Sequence, residues 1–176
     1  SLGLIYSAVT FYLGWNHHCD EGIIMGLATY GDPDAMIEGD KHGRSYYNVF
    51  EEIIQETGDF SYTVNRGWIK YHELRNKWLS DIFFETFGSK RDYDSIITNH
   101  HENIAAALQK RIEVVVISQL EKIRKKYDIP YLCLSGGVAL NCSMNGKIES
   151  SGIFDEIFVQ PASGDSGVSV GACYLS

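Results

Sequence analysis

The sequence predicts an α/β fold in which parallel strands are flanked by helices. Two observations carry this prediction. The second half of the chain alternates helix, strand, helix, strand and helix patterns, which is the order of a parallel α/β unit. A glycine-containing loop follows each of the two strands. The hydrophobic content of 44% over 176 residues is enough to build the core of a single domain.

The clearest element is a long amphipathic helix predicted over residues 103–127, where apolar residues recur at helical spacing. Asp128-Ile129-Pro130 ends this helix. Four further elements follow it in order: a strand at Tyr131–Leu134, a helix over 138–150, a strand at Glu156–Val159 and a helix over 165–174.

The first half of the chain is predicted to be mainly helical, with a less regular elaboration at about 35–95. Spacing predicts helices at 2–13, from 20 to the turn Tyr30-Gly31-Asp32-Pro33, at 46–56 and at 74–87, and alternation predicts a strand at 60–64. His100 and His101 are predicted to face solvent. His17-His18-Cys19-Asp20 is predicted to be a turn, because zinc ligands rarely occupy adjacent positions.

Charge and composition exclude several classes of function. The net charge of −8 argues against a nucleic-acid surface, which needs clustered lysine and arginine. No apolar run is long enough for a membrane span, and no leader pattern is present, so a cytoplasmic protein without a membrane partner is expected. The four cysteines form no CxxC pair, and three of them lie in apolar patterns, which predicts reduced, core-like thiols. The chain opens within an apolar stretch and closes after a helix pattern, which predicts a fragment of a longer protein.

The first loop, Ser135-Gly136-Gly137, lies where ligands gather in open α/β sheets, beyond the carboxyl end of a strand. Paired glycines let a ligand approach the backbone, and a following helix directs its N–H groups at that ligand. The same glycines could serve only to turn a strand into a helix. An ATP-pyrophosphatase loop is excluded because Ala139 and Leu140 replace the polar residues which that chemistry needs.

The second loop is Gly164-Asp165-Ser166-Gly167. A carboxylate at the start of a helix can cap that helix or ligate a cation, so both roles stay open for Asp165. Two such loops at neighbouring strand ends are a stronger indication of a ligand site than either loop alone.

The two loops belong to longer motifs that resemble a known family. LCLSGGVALNCSMNGKI and GIFDEIFVQPASGDSGVSVGACY, preceded by SLGLIYSAVTFYLGW and EGIIMGLATYGDP, are similar to the motifs of the O-carbamoyltransferases, which include nodulation protein U and antibiotic-tailoring enzymes. The resemblance implies part of a duplicated actin-like ATPase domain, related to tRNA threonylcarbamoyl-transfer proteins. Residues 1–176 would form one domain fragment, with a variable elaboration at 35–95 and an adenosine-binding α/β core at 96–176.

The resemblance also implies a chemistry, in which ATP and carbamoyl phosphate give carbamoyl-adenylate and a hydroxyl acceptor is then carbamoylated. Cofactor-binding residues would be Gly136, Gly137, Val138, Asn141 and Gly164, and Asp165 would bind a divalent metal, iron or magnesium. By the same resemblance, the family's paired metal-binding histidines and its carbamoyl-phosphate domain would lie outside residues 1–176. The fragment is therefore expected to be inactive alone and to work with the remaining domains of its own protein.

One departure from the family keeps two alternatives open. The family tends to carry lysine where this chain has Ile23, which cannot contact a phosphate. A non-catalytic nucleotide-binding or scaffold module is therefore one alternative. A tRNA-modifying relative is the other, although the acidic charge and the QPASGDSG context disfavour it.

Overall fold

The computed structural model describes residues 1–73 and 77–175, and the chain divides after Val115 into two compact units. The first unit contains four helices and a short antiparallel hairpin: α1 (Leu2–Tyr12), α2 (Glu21–Leu27), α3 (Tyr46–Ile53), β1 (Ile54–Glu56), β2 (Tyr62–Val64) and α4 (Asp81–Phe87). Helix α5 (Asn99–Tyr127) begins in the first unit and ends in the second.

The second unit contains the small parallel sheet. It consists of β3 (Tyr131–Leu134), a 3-10 turn (Gly137–Leu140), α6 (Cys142–Ser150), β4 (Glu156–Val159) and α7 (Gly167–Leu175). Strands β3 and β4 pair in parallel, with Leu134 opposite Val159. The mixed α/β class and the parallel pair are thus confirmed. Among the described residues, no helix combines the length and apolar content that crossing a bilayer needs.

Helix α5 is more deeply buried than its amphipathic pattern predicts. Residues 104–109 are all buried, and six consecutive residues cover more than one helical turn. Apolar packing therefore encloses this part of α5 on every side. Buried polar side chains here have partners: the Tyr6 hydroxyl donates to Gln109 Oε1 at 2.9 Å, and Gln109 Nε2 donates to Glu113 Oε1 at 2.7 Å.

Two predicted elements of the first unit were wrong in their extent. The helix predicted over 46–56 ends at Ile53, because Ile54–Glu56 pairs with β2 and the buried Ile54 side chain suits a strand. The helix predicted over 74–87 begins only at Asp81. Residues 74–76 lie outside the described part of the chain, and Leu79 instead bridges to Ile69 in antiparallel fashion.

The four cysteines form no disulfide among the described residues, and they are not buried, contrary to the prediction from their apolar surroundings. All four thiols are exposed. Cys133 and Phe158 occupy opposed positions on β3 and β4, and both lie on the exposed face of the two-stranded sheet. The alternation of side chains along a strand explains this, since the other face carries the half-buried Leu132, Leu134, Ile157 and Val159.

His100 was predicted to face solvent and instead lies half-buried in the first unit. Its Nε2 lies 2.8 Å from the Phe87 carbonyl oxygen and its Nδ1 lies 2.6 Å from the Tyr46 hydroxyl. A carbonyl can only accept, so Nε2 carries the proton and Nδ1 accepts from Tyr46. The Tyr12 hydroxyl donates to the same carbonyl at 2.7 Å. The neutral imidazole therefore fits this network with the Tyr46 hydroxyl as donor, whereas a protonated ring would require that hydroxyl to accept instead.

This network predicts that acid destabilises the first unit. Burial lowers the pKa of His100 below its ordinary value of 6.5. Because the folded state prefers neutral His100, the stabilisation is fully present above pH 6.5 and is lost as the pH falls below that value. Thermal unfolding between pH 7.5 and pH 5 should show a smaller loss of stability in His100→Asn than in the wild type. His42→Asn, at an exposed histidine, is the control and should keep the wild-type pH dependence. Equal slopes for wild type and His100→Asn would contradict the prediction.

Candidate functional site

The candidate site lies at the carboxyl ends of β3 and β4. The strands are parallel and in register, so the loops that follow them leave the sheet at the same edge. The two loops are joined directly, because Gly136 N–H donates to the Ser163 carbonyl oxygen at 2.7 Å. Leu140 Cδ1 lies 3.5 Å from the position that a Cβ of Gly164 would occupy. The structure therefore brings together the two loops that the sequence marked separately.

Residue 136 requires glycine because of its backbone conformation. Gly136 and Gly137 both leave room for a ligand. Gly136 has φ of 97° and ψ of 160°, a conformation that is nearly restricted to glycine. A Cβ added to Gly136 or Gly137 would meet no atom of the described residues within 4 Å, and both residues are exposed. The space beside this turn is therefore open, and a nucleotide could approach its backbone closely.

Asn141 begins helix α6 and does not lie one turn inside it. The helix predicted over 138–150 is in fact divided: Gly137–Leu140 forms the 3-10 turn, and Asn141 is extended, with ψ of 92°. The Asn141 side chain then caps α6, with its Oδ1 accepting from Met144 N–H at 2.9 Å. Val138, half-buried in the turn, accepts through its carbonyl from Asn141 N–H. Contacts of Val138 and Asn141 with adenosine remain a prediction.

The Asn141 cap of helix α6 predicts a change in the free energy of unfolding. Asn141→Ala removes the acceptor for Met144 N–H and should lower the free energy of unfolding by about 1 kcal/mol. Asn141→Asp keeps a capping oxygen next to the positive end of α6 and should lie within about 0.5 kcal/mol of the wild type. Chemical denaturation followed by circular dichroism measures both. An equal loss in the two variants would show that the amide has a role other than capping.

The second loop presents Asp165 without using it as a cap. Helix α7 begins at Gly167, two residues later than predicted, and the Asp165 carboxylate is exposed. Within the described part of the chain, this carboxylate has no hydrogen-bond or ion-pair partner. Only the Asp165 backbone oxygen is used, accepting from Val168 N–H at 3.1 Å. The Asp165 carboxylate is therefore available to supply one ligand to a cation.

The loop around Asp165 is also held in shape by a glycine. A Cβ on Gly167 would lie 2.2 Å from the Ala162 carbonyl oxygen, a distance that no side chain tolerates. Gly167 N–H donates to the Gly164 oxygen at 3.0 Å, which closes the turn beneath Asp165. Gly167 therefore has a structural reason to be glycine. Gly164 differs, because the nearest atom to its Cβ position is only in ordinary contact.

Two polar atoms beside the loops were missed by the sequence reasoning. Ser163 is buried and its Oγ has no partner, and Asn145 Oδ1 is likewise buried without a partner among the described residues. Buried polar atoms are nearly always paired, so these two atoms are exceptions. A signal was present in the sequence, since Asn145 lies four residues after Asn141, one helical turn along α6.

Comparison with known proteins assigns the chain to a family. A family model described as "Carbamoyltransferase N-terminus" matches residues 1–174. The chain belongs to the carbamoyltransferase N-terminal family. It is 38% identical over 175 residues to nodulation protein NolO of Bradyrhizobium diazoefficiens and 34% identical over 177 residues to nodulation protein NolNO of Sinorhizobium fredii, in each case over 99% of this chain. It is 30% identical over 179 residues to nodulation protein U of Rhizobium tropici, over 97% of this chain.

The chain is short beside these relatives. It spans 28% of the length of NolO, 22% of NolNO and 30% of nodulation protein U. The resemblance read from the four sequence motifs is confirmed, as is membership of a transferase family.

The remaining motif residues of this family member lie in the first unit. Glu21, the first residue of α2, accepts from the Ser7 hydroxyl and from His18 N–H, both at 2.6 Å. These bonds fasten α2 to α1, and His18 takes the left-handed conformation, with φ of 63°. The His17–Asp20 segment is a turn, as predicted, and the described residues contain no group of three or more side chains able to hold a metal.

Proposed function

We propose that this chain is the nucleotide-binding part of a carbamoyltransferase that uses ATP and carbamoyl phosphate, through carbamoyl-adenylate, to carbamoylate a hydroxyl acceptor. The proposal rests mainly on one observation: the hydrogen bond from Gly136 N–H to the Ser163 carbonyl oxygen joins the two loops. It places an open glycine turn and an uncommitted carboxylate on one edge of a parallel sheet in a carbamoyltransferase-family chain. We infer that this unit is a piece of a duplicated actin-like ATPase domain.

Each loop would have one task in the transfer. The backbone of Gly136 and Gly137, with Val138, Asn141 and Gly164, would hold the adenosine part. Asp165 would hold a divalent metal, iron or magnesium, whose charge stabilises negative oxygens at the reacting anhydride. In the transfer itself, the acceptor oxygen bonds to the carbamoyl carbon and gives up its proton. The bond from that carbon to the phosphate oxygen breaks, and AMP leaves with the electron pair.

The metal and acid–base groups that complete such a site would come from the remaining domains of the same protein, since the two loops offer a single carboxylate, that of Asp165. Isolated residues 1–176 are therefore expected to transfer no carbamoyl group. We expect a reducing, cytoplasmic setting for the whole protein, because the cysteines form no disulfide among the described residues.

The test uses the full-length protein and the variant Asp165→Asn, which keeps the size of the side chain and removes its charge. Metal content by mass spectrometry and transfer of isotopically labelled carbamoyl phosphate should both fall, with transfer falling about 100-fold for a lost metal ligand. Asp155→Asn is the matched control, because Asp155 is also exposed in the second unit. Unchanged metal content and unchanged transfer in Asp165→Asn would overturn the role of this residue.

One observation favours a non-catalytic scaffold as a second candidate. Ile23 lies on α2 with 47% of its surface exposed, at the position where the family tends to carry lysine. Isoleucine cannot contact a phosphate as a lysine would, so this chain lacks that charge on α2. If the wild-type full-length protein fails to transfer carbamoyl groups and Ile23→Lys restores transfer, the scaffold reading is supported.

A further inference from the structure

A cavity of about 380 Å³ lies beside strand β2 in the first unit, and we call it the hairpin cavity. Its volume falls within the range of about 300–1,000 Å³ that is usual for small-molecule sites. Tyr62 and Val64 line it from one face of β2, because residues two apart on a strand project to the same side. Ile69, only 1% exposed, adds buried apolar surface. The lining is completed by Ser1, Arg66, Tyr71 and His72.

Hydrogen bonds within the first unit hold the lining of the hairpin cavity in place. The Tyr62 hydroxyl oxygen accepts from Leu2 N–H at 3.2 Å, which ties β2 to the start of α1. Asn65 Oδ1 accepts from Gly67 N–H at 2.9 Å, which closes the turn that carries Arg66. The cavity is therefore already formed without a ligand, as most small-molecule sites are.

The unpaired polar groups of the hairpin cavity are donors. Arg66 carries five N–H donors, and its guanidinium has no hydrogen-bond or ion-pair partner among the described residues. The Tyr71 hydroxyl likewise has no hydrogen-bond partner in the part of the chain that the structure describes. Burial raises the pKa of Tyr71, and the neighbouring Tyr62 raises it further. This hydroxyl therefore keeps its proton at neutral pH and can donate it to an acceptor.

No acidic side chain among residues 1–73 and 77–175 lines the hairpin cavity. Glu73, which follows His72 in the sequence, is already paired, with its Oε1 3.1 Å from Lys70 Nζ and 3.3 Å from His72 Nε2. Because the unpaired groups are donors and one of them is a permanent cation, the complementary ligand is an anion. The apolar surface of Val64 and Ile69, together with the two tyrosine rings, suits an aromatic body on that anion.

We propose that the hairpin cavity binds a small organic anion in which a phosphate or carboxylate group is joined to an aromatic body. Arg66 pairs with two oxygens of the anionic group, and the Tyr71 hydroxyl donates to the same group. The rings of Tyr62 and Tyr71 pack against the aromatic body. The whole lining belongs to the first unit, so this site is additional to the proposed nucleotide site of the second unit and does not depend on it.

The experiment measures the affinity of two matched pairs of probes for the full-length protein by ligand-observed NMR. Phenyl phosphate is compared with inorganic phosphate, and benzoate is compared with acetate. In the pair whose anionic group the site accepts, the aromatic probe should bind about 10-fold more tightly, because its ring is buried as well.

Three variants locate the binding in the hairpin cavity. Arg66→Gln should weaken the tighter aromatic probe by about 10-fold or more, through the loss of charge-assisted hydrogen bonds. Tyr71→Phe keeps the ring, removes the hydroxyl and should weaken this probe by about 5-fold. Lys41→Gln is the control, because it removes an exposed positive charge of the same unit that does not line the cavity, and it should bind as the wild type does.

The outcomes decide both the site and its ligand class. Tighter binding of either phenyl phosphate or benzoate supports the site if Arg66→Gln weakens that binding, and it identifies the anionic group. Failure of the folded wild-type protein to bind any probe would overturn the proposal, as would equal affinity within both pairs. Equal affinity in Arg66→Gln and Lys41→Gln would also overturn it. Arg66 is exposed, so Arg66→Gln is expected to fold, and circular dichroism checks this. The comparison within each pair needs only the wild-type protein.

Discussion

Gly31→Ala is expected to lower the free energy of unfolding of the first unit by at least about 3 kcal/mol, the upper end for overpacking. A Cβ at Gly31 would lie 2.1 Å from the Glu102 carbonyl oxygen, 2.3 Å from its carbon and 2.7 Å from Asn103 N. These are backbone atoms of the first turn of α5, which cannot rotate away. The methyl group would also strain the bond from Asp32 N–H to Asn103 Oδ1, now 2.8 Å.

Gly26→Ala is the matched control for this prediction, because it changes another glycine of the same sequence motif. A Cβ at Gly26 meets nothing within 4 Å, and the residue lies in helix α2, where alanine is preferred over glycine by about 1 kcal/mol. Gly26→Ala should therefore be neutral or stabilising. Denaturant unfolding of both variants measures the difference, and equal stabilities would show that Gly31 does not pack as described.

Arg91→Met is expected to cost about 3–5 kcal/mol, because it leaves several carbonyl oxygens without their charged donor. Arg91 is only 5% exposed, and its partners are carbonyl oxygens. Its Nε donates to Leu13 O at 2.6 Å, its Nη1 donates to Tyr93 O at 3.0 Å and to Ser95 O, and its guanidinium lies 4.3 Å from the centre of the Trp15 ring. Methionine fills the space but leaves these carbonyls without a donor.

Lysine should not rescue the site, because one ammonium cannot serve three carbonyls with the planar geometry of a guanidinium. Arg66→Met, at an exposed arginine, is the control and should remain within about 0.5 kcal/mol of the wild type. Thermal unfolding of the three variants distinguishes the cases. If Arg91→Lys and Arg66→Met are equally stable, the guanidinium hydrogen bonds of Arg91 contribute little to the free energy of unfolding.

The strands of the second unit could be predicted from sequence because their signals are local. The run Tyr131–Leu134 lies between a proline-ended helix and a glycine pair, and Glu156–Val159 lies between two loops rich in turn residues. The parallel pairing follows from the helix between them. The position of helix α5 could be predicted from sequence. The complete burial of residues 104–109 could not, because it depends on what packs around them.

The errors in the first unit have a common physical cause. Ile54–Glu56 continues a helical pattern, and only pairing with β2 makes it a strand. Leu79 is apolar and fits a helical stripe, yet its bridge to Ile69 fixes an extended backbone. His100 reads as polar and solvent-facing, and only Tyr46 and Phe87, both distant in sequence, make it part of a buried network. In each case a partner from another segment of the chain decided the outcome.

At the candidate site, the sequence identified the two loops but not the hydrogen bonds that their side chains make. Glycines at 136 and 137 and the acid at 165 were evident, and the family motifs strengthened them. That Asn141 is used as a cap, and that Asn145 Oδ1 and Ser163 Oγ lack partners, depends on atomic positions. Residue type and spacing do not show which polar atom is already satisfied.

The most direct test of a nucleotide site at the Gly136 turn is calorimetry of ATP binding to the full-length protein, wild type and Gly136→Val. Valine cannot adopt the Gly136 backbone, with φ of 97°, and its side chain would fill the open space beside the turn. Gly146→Val, at an exposed position of α6 where a Cβ meets nothing within 4 Å, is the control. We predict that wild type and Gly146→Val bind ATP and that Gly136→Val binds at least about 100-fold more weakly. Equal ATP affinity in wild type and Gly136→Val would contradict a nucleotide site at this turn.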